Sequence, residues 1–269
     1  MKRSRPTFVG FGALGVLLLG ALLALLVPPA HAKDQAQGQA PELRLGYSSS
    51  WAPPWGELRG GQVAGGIHHD VGQALTRRLG WRLQLSRIPQ LQSGGRHAGS
   101  YVLRFADLLC GMHPSWSINA DEFHWSAPLF EIGDVMVGHA ETPAPASLAE
   151  LPKGTRVGTV RGYVYPTLAE RVTSGALRLE EAPDQGSVLR KLERRRTPVA
   201  VVSVQSLAWH LRQNPGAALS GWRLPVQSAQ YHCALPKGTQ VDVQAVTQAL
   251  SALKREGELE RILTRYAPR

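Results

Sequence analysis
The sequence is poor in the groups from which catalytic and metal centres are usually assembled. Its only two cysteines, Cys110 and Cys233, lie far apart, and it holds no Cys-x2-Cys or His-x3-His pair, so the spacings of a zinc framework are absent. His68-His69-Asp70, with His113 and His124 elsewhere, comes nearest, but polar residues are ordinary at the start of a helix. There is no Gly-x-Ser-x-Gly, no phosphate loop and no His-Glu-x-x-His, and no motif calls for a cofactor. Acids are scarce: 20 against 30 lysines and arginines, for a formal charge of +10. The excess is mostly arginine and is scattered. Its one run, Arg194-Arg195-Arg196, ends a predicted helix, where cations are favoured. No basic patch is interleaved with aromatics, so no nucleic-acid partner is expected.

Long apolar runs are also absent after Val27. Before it, Met1 to Pro6 carries Lys2, Arg3 and Arg5 and no acid, Thr7 to Val27 is apolar or small, and Ala30-His31-Ala32 follows a Pro-Pro break. This layout predicts a secretory signal peptide over residues 1–32 and a periplasmic location. An uncleaved membrane anchor is the alternative, since a run of this length can just span a bilayer. No cysteine follows the run to take a lipid. Loss of Lys2, Arg3 and Arg5 lowers the formal charge from +10 to +7, which reads as a solvated surface. The remaining chain suffices for one large domain or two smaller ones.

Residues 33–42 are a polar linker. Leu43 to Tyr47 alternates as a first strand, and Ser48 to Trp55 is a loop after it. Asp70 to Leu79 is a predicted helix stopped by Gly80, and Leu83 and Leu85 mark a second strand. Gln90 to Val102 is Gly-rich and ambiguous. The stretch Phe105 to Phe130 reads as a strand to Cys110, a polar and aromatic segment to Trp116, and a short helix from Ser117; it is expected to form one wall of a cleft. Asp134 to Gly138 is another strand. After the Pro/Ala linker at 141–146 a second alternation begins: strand 155–160, helix from Pro166 to Val172, strand 177–179, helix from Ser187 to Arg195, strand 199–202, helix 203–213. A strand at 230–235 and two amphipathic helices close the chain. Two rounds of alternation imply two α/β lobes.

Several motifs resemble the bacterial extracellular solute-binding proteins of family 3, the amino-acid-type receptors of ABC importers. Leu43-Arg44-Leu45-Gly46 is similar to the family's opening strand, and Gly66-Ile67-His68-His69-Asp70 to its Gly-Phe-Asp-x-Asp. Trp125 to Phe130 resembles Phe-Ser-x-Pro-Tyr, Leu148 to Gly162 the second-lobe opening, and Tyr231 to Lys237 the return strand. The resemblance runs from Leu43 to Tyr266. It implies an α/β, two-lobe periplasmic-binding-protein fold (type II), each lobe an open mixed sheet flanked by helices, with two hinge crossovers. Lobe 1 would be residues 43–139 and 229–269, and lobe 2 residues 140–228. The implied partners are a small-molecule solute and an ABC transporter permease, with the protein a monomer.

The amino-acid clamp of that family departs here. Its carboxylate-binding arginine falls on Asn119, and no arginine lies between Arg104 and Arg156. Its ammonium-binding aspartate falls among Ser203, Val204 and Gln205. A guanidinium supplies the bidentate contact that fixes a carboxylate, and asparagine cannot. Either the solute is not a standard amino acid, which is the expectation here, or it binds in another way. Candidate ligand residues are Ser50, Trp51 and Trp55 after the first strand; Trp116, Ser117 and Asn119 in the central stretch; Arg161, Gly162 and Tyr163 before a second-lobe helix; and Ser203 and Gln205. Aromatics of this kind hold apolar, cyclic or cationic bodies, while the free N–H groups of the helix after Arg161 to Tyr165 suit an anion; each tryptophan alone is as readily a core anchor. Two other readings stay open. One is a sensory module acting in trans. The other is a dehydratase on this fold, which needs a carboxylate-binding arginine (Arg161) and a general acid, for which Glu131 and Glu141 are remote candidates. In the implied fold the return strand inserts between the Cys110 strand and the strand at 134–138. Cys110 and Cys233 then lie on neighbouring strands, as a disulfide or as two buried thiols.

Overall fold
The computed structural model describes residues 40–89, 99–117 and 119–267. The predicted signal peptide, nearly all of the linker and most of the Gly-rich stretch after Pro89 lie outside the described residues. In chain order the elements are β1 (Glu42–Tyr47), β2 (Glu57–Arg59), β3 (Gln62–Gly65), α1 (Ile67–Leu79), β4 (Arg82–Arg87), α2 (Gly99–Leu103), β5 (Leu109–Met112), β6 (Phe123–Trp125), β7 (Phe130–Gly138) and β8 (Thr155–Val160). They continue with α3 (Ala169–Thr173), β9 (Leu177–Ala182), α4 (Gln185–Glu193), β10 (Val199–Ser203), α5 (Val204–Gln213), β11 (Leu224–Pro236), α6 (Val243–Arg255) and α7 (Glu258–Tyr266). Among the described residues no helix is long and apolar enough to cross a membrane.

β1 pairs in parallel with β4, and Leu45 bridges Leu108 just before β5. The main sheet runs β5-β11-β7-β10-β8-β9, with β6 also on β11. Parallel neighbours such as β8 and β9 are joined through α3, the crossover that parallel pairing requires. Apolar side chains collect in separate cores at the two ends of this sheet. At one end Leu43, Leu45 and Leu75 pack with Leu108, Tyr231, Leu250 and Ile262. At the other Val160, Val188, Leu192 and Val202 form one cluster and Val157, Leu168, Leu177 and Val201 another. β7 and β11 run antiparallel between the two ends, in register from Tyr231↔Phe130 to Leu224↔Met136 with a bulge near Pro225.

Several expected elements differ; β7, β9 and β11 are longer than expected, and four others change for local reasons. β5 begins at Leu109, not Phe105, because Ala106 lies in the turn after α2, its N donating to Val102 O of that helix, and Asp107 is taken up by Arg44, whose Nη2 donates to Oδ1 at 2.7 Å. The helix from Ser117 is only a 3-10 turn at Ala120–Glu122 that runs into β6. α4 is capped by Asp184, which accepts from Ser187 N, rather than by Ser187. α1 starts three residues before Asp70, because Gly66 at φ 110° turns the chain directly into Ile67. A Cβ there would sit 2.5 Å from Gly56 Cα, so the close pass of two backbones demands glycine.

Candidate functional site
A cavity of about 270 Å³ opens where the two ends of the sheet face each other. One wall comes from the loop after β1 and from β5, and carries Tyr47, Ser50, Trp51, Gly111, Met112 and Trp116. The opposite wall is the turn after β8, Arg161 to Val164, with Gln185 and Ser203 at the starts of α4 and α5. Ile132, Gly133 and Asp134 of β7 and Gln227, Ala229 and Tyr231 of β11 close the back. Each residue reaches the cavity for a local reason: it follows the end of a strand, begins a helix, or sits on a strand that passes between the two cores.

Stacked rings support the first wall. Trp51 lies over His68 with centroids 4.4 Å apart, Trp55 and Tyr231 flank that imidazole at 5.5 and 5.7 Å, and Phe130 backs Tyr231 at 4.2 Å. Gly111, at φ 80°, leaves the room that His68 uses; a Cβ there would meet its Cε1 at 2.5 Å. His68 Nδ1 is hydrogen-bonded to the Tyr231 hydroxyl at 2.7 Å, and burial pushes the imidazole down to about 3, so the ring is neutral at ordinary pH. Beside it Cys110 and Cys233 are directly opposed on β5 and β11 and form a disulfide, with Cα atoms 4.0 Å apart.

Several contacts link the two sides, among them Trp55 with Ser203, Tyr163 with Ser50 and Arg212 with Ala267. Trp55, 9 % exposed, donates from Nε1 to Ser203 Oγ at 2.9 Å, and the same oxygen accepts from Ser206 N to cap α5. Tyr163, on the opposite wall from Ser50, is 41 % exposed as a whole, yet its phenol is pushed up to about 12. Loss of solvent around it contributes most, followed by the charge of Asp134, while a hydrogen bond with Ser50 opposes the rise.

Of the residues singled out from the sequence, Ser50, Trp51, Trp55, Trp116, Arg161, Gly162, Tyr163 and Ser203 all line this cavity. Ser117, Asn119 and Gln205 do not. Ser117 Oγ and Gln205 Oε1 are buried without a hydrogen-bond partner elsewhere, and Asn119 precedes the 3-10 turn, its carbonyl accepting from Glu122 N. Glu131 and Glu141 are both exposed, neither lines the cavity, and Glu141 pairs with Arg195. His69 bonds to Asp70, and among the described residues no group of three or more His, Cys, Asp or Glu is placed to hold a metal.

Sequence reasoning passed over Asp134 and Gln227. They are cross-strand partners on β7 and β11, and Gln227 Nε2 donates to Asp134 Oδ2 at 2.9 Å. Burial raises the Asp134 carboxyl above its ordinary range, and the Gln227 hydrogen bond only partly opposes the rise. The available signal was a lone acid in the apolar strand Ile132 to Val137.

No protein-family model matches the sequence, and no curated protein is significantly similar to it. Solved structures are similar. The ligand-binding core of GluR0 in complex with L-glutamate superposes with a TM-score of 0.67 at 19 % identity, over 86 % of this chain and all of its own. An ancestral arginine-binding protein bound to arginine gives 0.64 at 21 %, over 84 % of this chain and 97 % of that one. A histidine kinase sensor domain with similarity to periplasmic binding proteins gives 0.64 at 20 %, over 85 % and 96 %. Identities this low speak for the architecture alone. The chain has the α/β two-lobe periplasmic-binding-protein fold (type II), each lobe an open mixed sheet flanked by helices, with two crossover strands between them.

Proposed function
We propose that this chain is an exported solute-binding protein that closes its two lobes, residues 43–139 with 229–269 and residues 140–228, on one small solute held in the cavity between them. The observation that carries the reading is the cavity itself. Its lining comes from both ends of the sheet and from the two strands between them, and combines aromatic rings with polar side chains, a character that suits a small-molecule site. The solute is not a standard α-amino acid, because neither end of the amino-acid clamp has a charged residue at the expected place: Asn119 and Ser203 stand there. In this reading the loaded monomer delivers its solute to an ABC-type permease from the periplasm. The dehydratase reading lacks the acid it was given, since Glu131 and Glu141 lie off the cavity. A sensor acting in trans is the second reading, favoured by the similarity to a kinase sensor domain.

A thermal-shift screen tests the proposal, because a ligand that binds only the folded state raises the melting temperature; saturation at 100 times Kd contributes about 2.7 kcal/mol. Amines, aromatic acids, sugars and L-amino acids are the panel. A rise with a solute outside the amino acids supports the reading. A rise confined to amino acids overturns its specificity, and no rise with any class overturns solute binding.

A further inference from the structure
Solute binding leaves the chemistry of the solute open, and the inference drawn here rests on that reading. The back of the cavity is a place where acceptors outnumber donors. Asp134 has no cationic partner among the described residues, and its hydrogen bond from Gln227 Nε2 reaches only Oδ2. Gln227 also approaches Val164 O with the same nitrogen, at 3.4 Å, while its Oε1, shut off from solvent, receives no donor. A carboxylate and an amide oxygen thus stand side by side on adjacent strands, the carboxylate receiving one hydrogen bond and the buried amide oxygen none, an arrangement that costs stability unless a ligand completes it.

The remaining charge does not offset this. Besides Asp134, the charged side chain on the lining is Arg161, which is half-exposed at the mouth and lies 3.6 Å from Glu181. His68 is neutral. The less exposed of the two charges is therefore the negative one, although the chain as a whole carries a formal +10. The same lining carries the rings of Trp51, Trp116 and Tyr163, surfaces whose faces attract cations. The elevated Asp134 carboxyl is what an acid looks like when it lacks its counter-charge.

We propose that the cleft takes a small organic cation bearing N–H donors, a primary amine or a guanidine, with its charged end on Asp134 and Gln227 and its body between the aromatic walls. A zwitterion would need a second, carboxylate-binding centre, and Arg161 is the one guanidinium on the lining and already leans on Glu181.

The test is calorimetry on the whole protein with matched probes. 2-Phenylethylamine and putrescine are the cations, 2-phenylethanol and 1,4-butanediol their neutral counterparts, and phenylacetate the anion. A hydrogen bond to a charged group predicts that at least one cation binds about 10- to 150-fold more tightly than its alcohol. Asp134→Asn should remove that preference while its melting temperature stays at or above that of the wild type, so that loss of binding is not loss of fold. Neutral or anionic probes binding as well as the cations, no binding of either cation, or an unchanged preference in Asp134→Asn each overturns the proposal. In those cases a thermal shift with any other solute keeps the solute-binding reading, and its absence removes both.

Discussion

Replacing Cys110 and Cys233 together by alanine gives a large effect whose size follows from the topology. The bond joins residues 123 positions apart, so it closes a long loop in the unfolded chain. For a loop of that length the chain-entropy relation gives about 4.9 kcal/mol at 25 °C, and native disulfides deliver about 2–5 kcal/mol in practice. Cys233 is fully buried against Leu45, Tyr231 and their neighbours, so truncating the sulfur also removes packing and works in the same direction. The sheet pairing of β5 with β11 does not depend on the bond, and the double variant should fold. Urea titration followed by circular dichroism is the assay: the midpoint should fall and the slope should rise, because the unfolded chain without the cross-link is less compact. The oxidised wild type, unfolded without reductant, should show no free thiol. A midpoint within about 0.5 kcal/mol of the wild type, or two thiols in the unreduced protein, would refute the reasoning.

Other substitutions report on the site and its frame. Asp134→Asn should raise the melting temperature of the ligand-free protein at pH 7 by roughly 2–4 °C, the effect of relieving about 1 kcal/mol of unpaired burial. Because the folded-state carboxyl titrates above its unfolded value, the native state holds its proton more tightly, and stability falls as pH rises through that window. The advantage of the variant should accordingly vanish below about pH 4, where both states are protonated; an advantage that persists in acid would contradict the assignment. Trp55→Phe removes the hydrogen bond to Ser203 and should cost about 1 kcal/mol in urea titration. Ser203→Ala also removes the α5 cap and should cost about 2 kcal/mol; equal costs would deny the shared oxygen its two roles. Gly66→Ala forces a Cβ against the Gly56 backbone and should cost more than about 3 kcal/mol or abolish folding; a stable, soluble variant would show the turn to be looser than described.

Strands that are buried or alternate were readable from the sequence. β1, β8 and β10 lie within a residue of where Leu43 to Tyr47, Thr155 to Val160 and Val199 to Val202 placed them. The first parts of β7 and β11 were not. Phe130 to Gly133 and Leu224 to Ala229 have mixed polarity and gain their extended form from cross-strand pairing, which leaves no period in either segment alone. The site divides in the same way. Trp51, Trp116, Arg161 and Tyr163 follow or adjoin strand ends, so position along the chain was enough to suggest them. Asp134 and Gln227 lie inside strands, and their chemistry arises only when the register sets them opposite each other. Asn119 and Gln205 were chosen by counting from motifs and Ser117 for its place in the central stretch, and the 3-10 turn at Ala120–Glu122 and the first turn of α5 lie off the lining with them.

A cleft without the amino-acid clamp, on a periplasmic-binding-protein fold, should not hold α-amino acids. Isothermal titration of L-arginine, L-glutamine and L-glutamate into the purified protein tests it most directly. The account predicts no heat of binding at micromolar concentrations for any of the three. Micromolar binding of one of them, lost on Arg161→Ala and kept on Asp134→Asn, would contradict it.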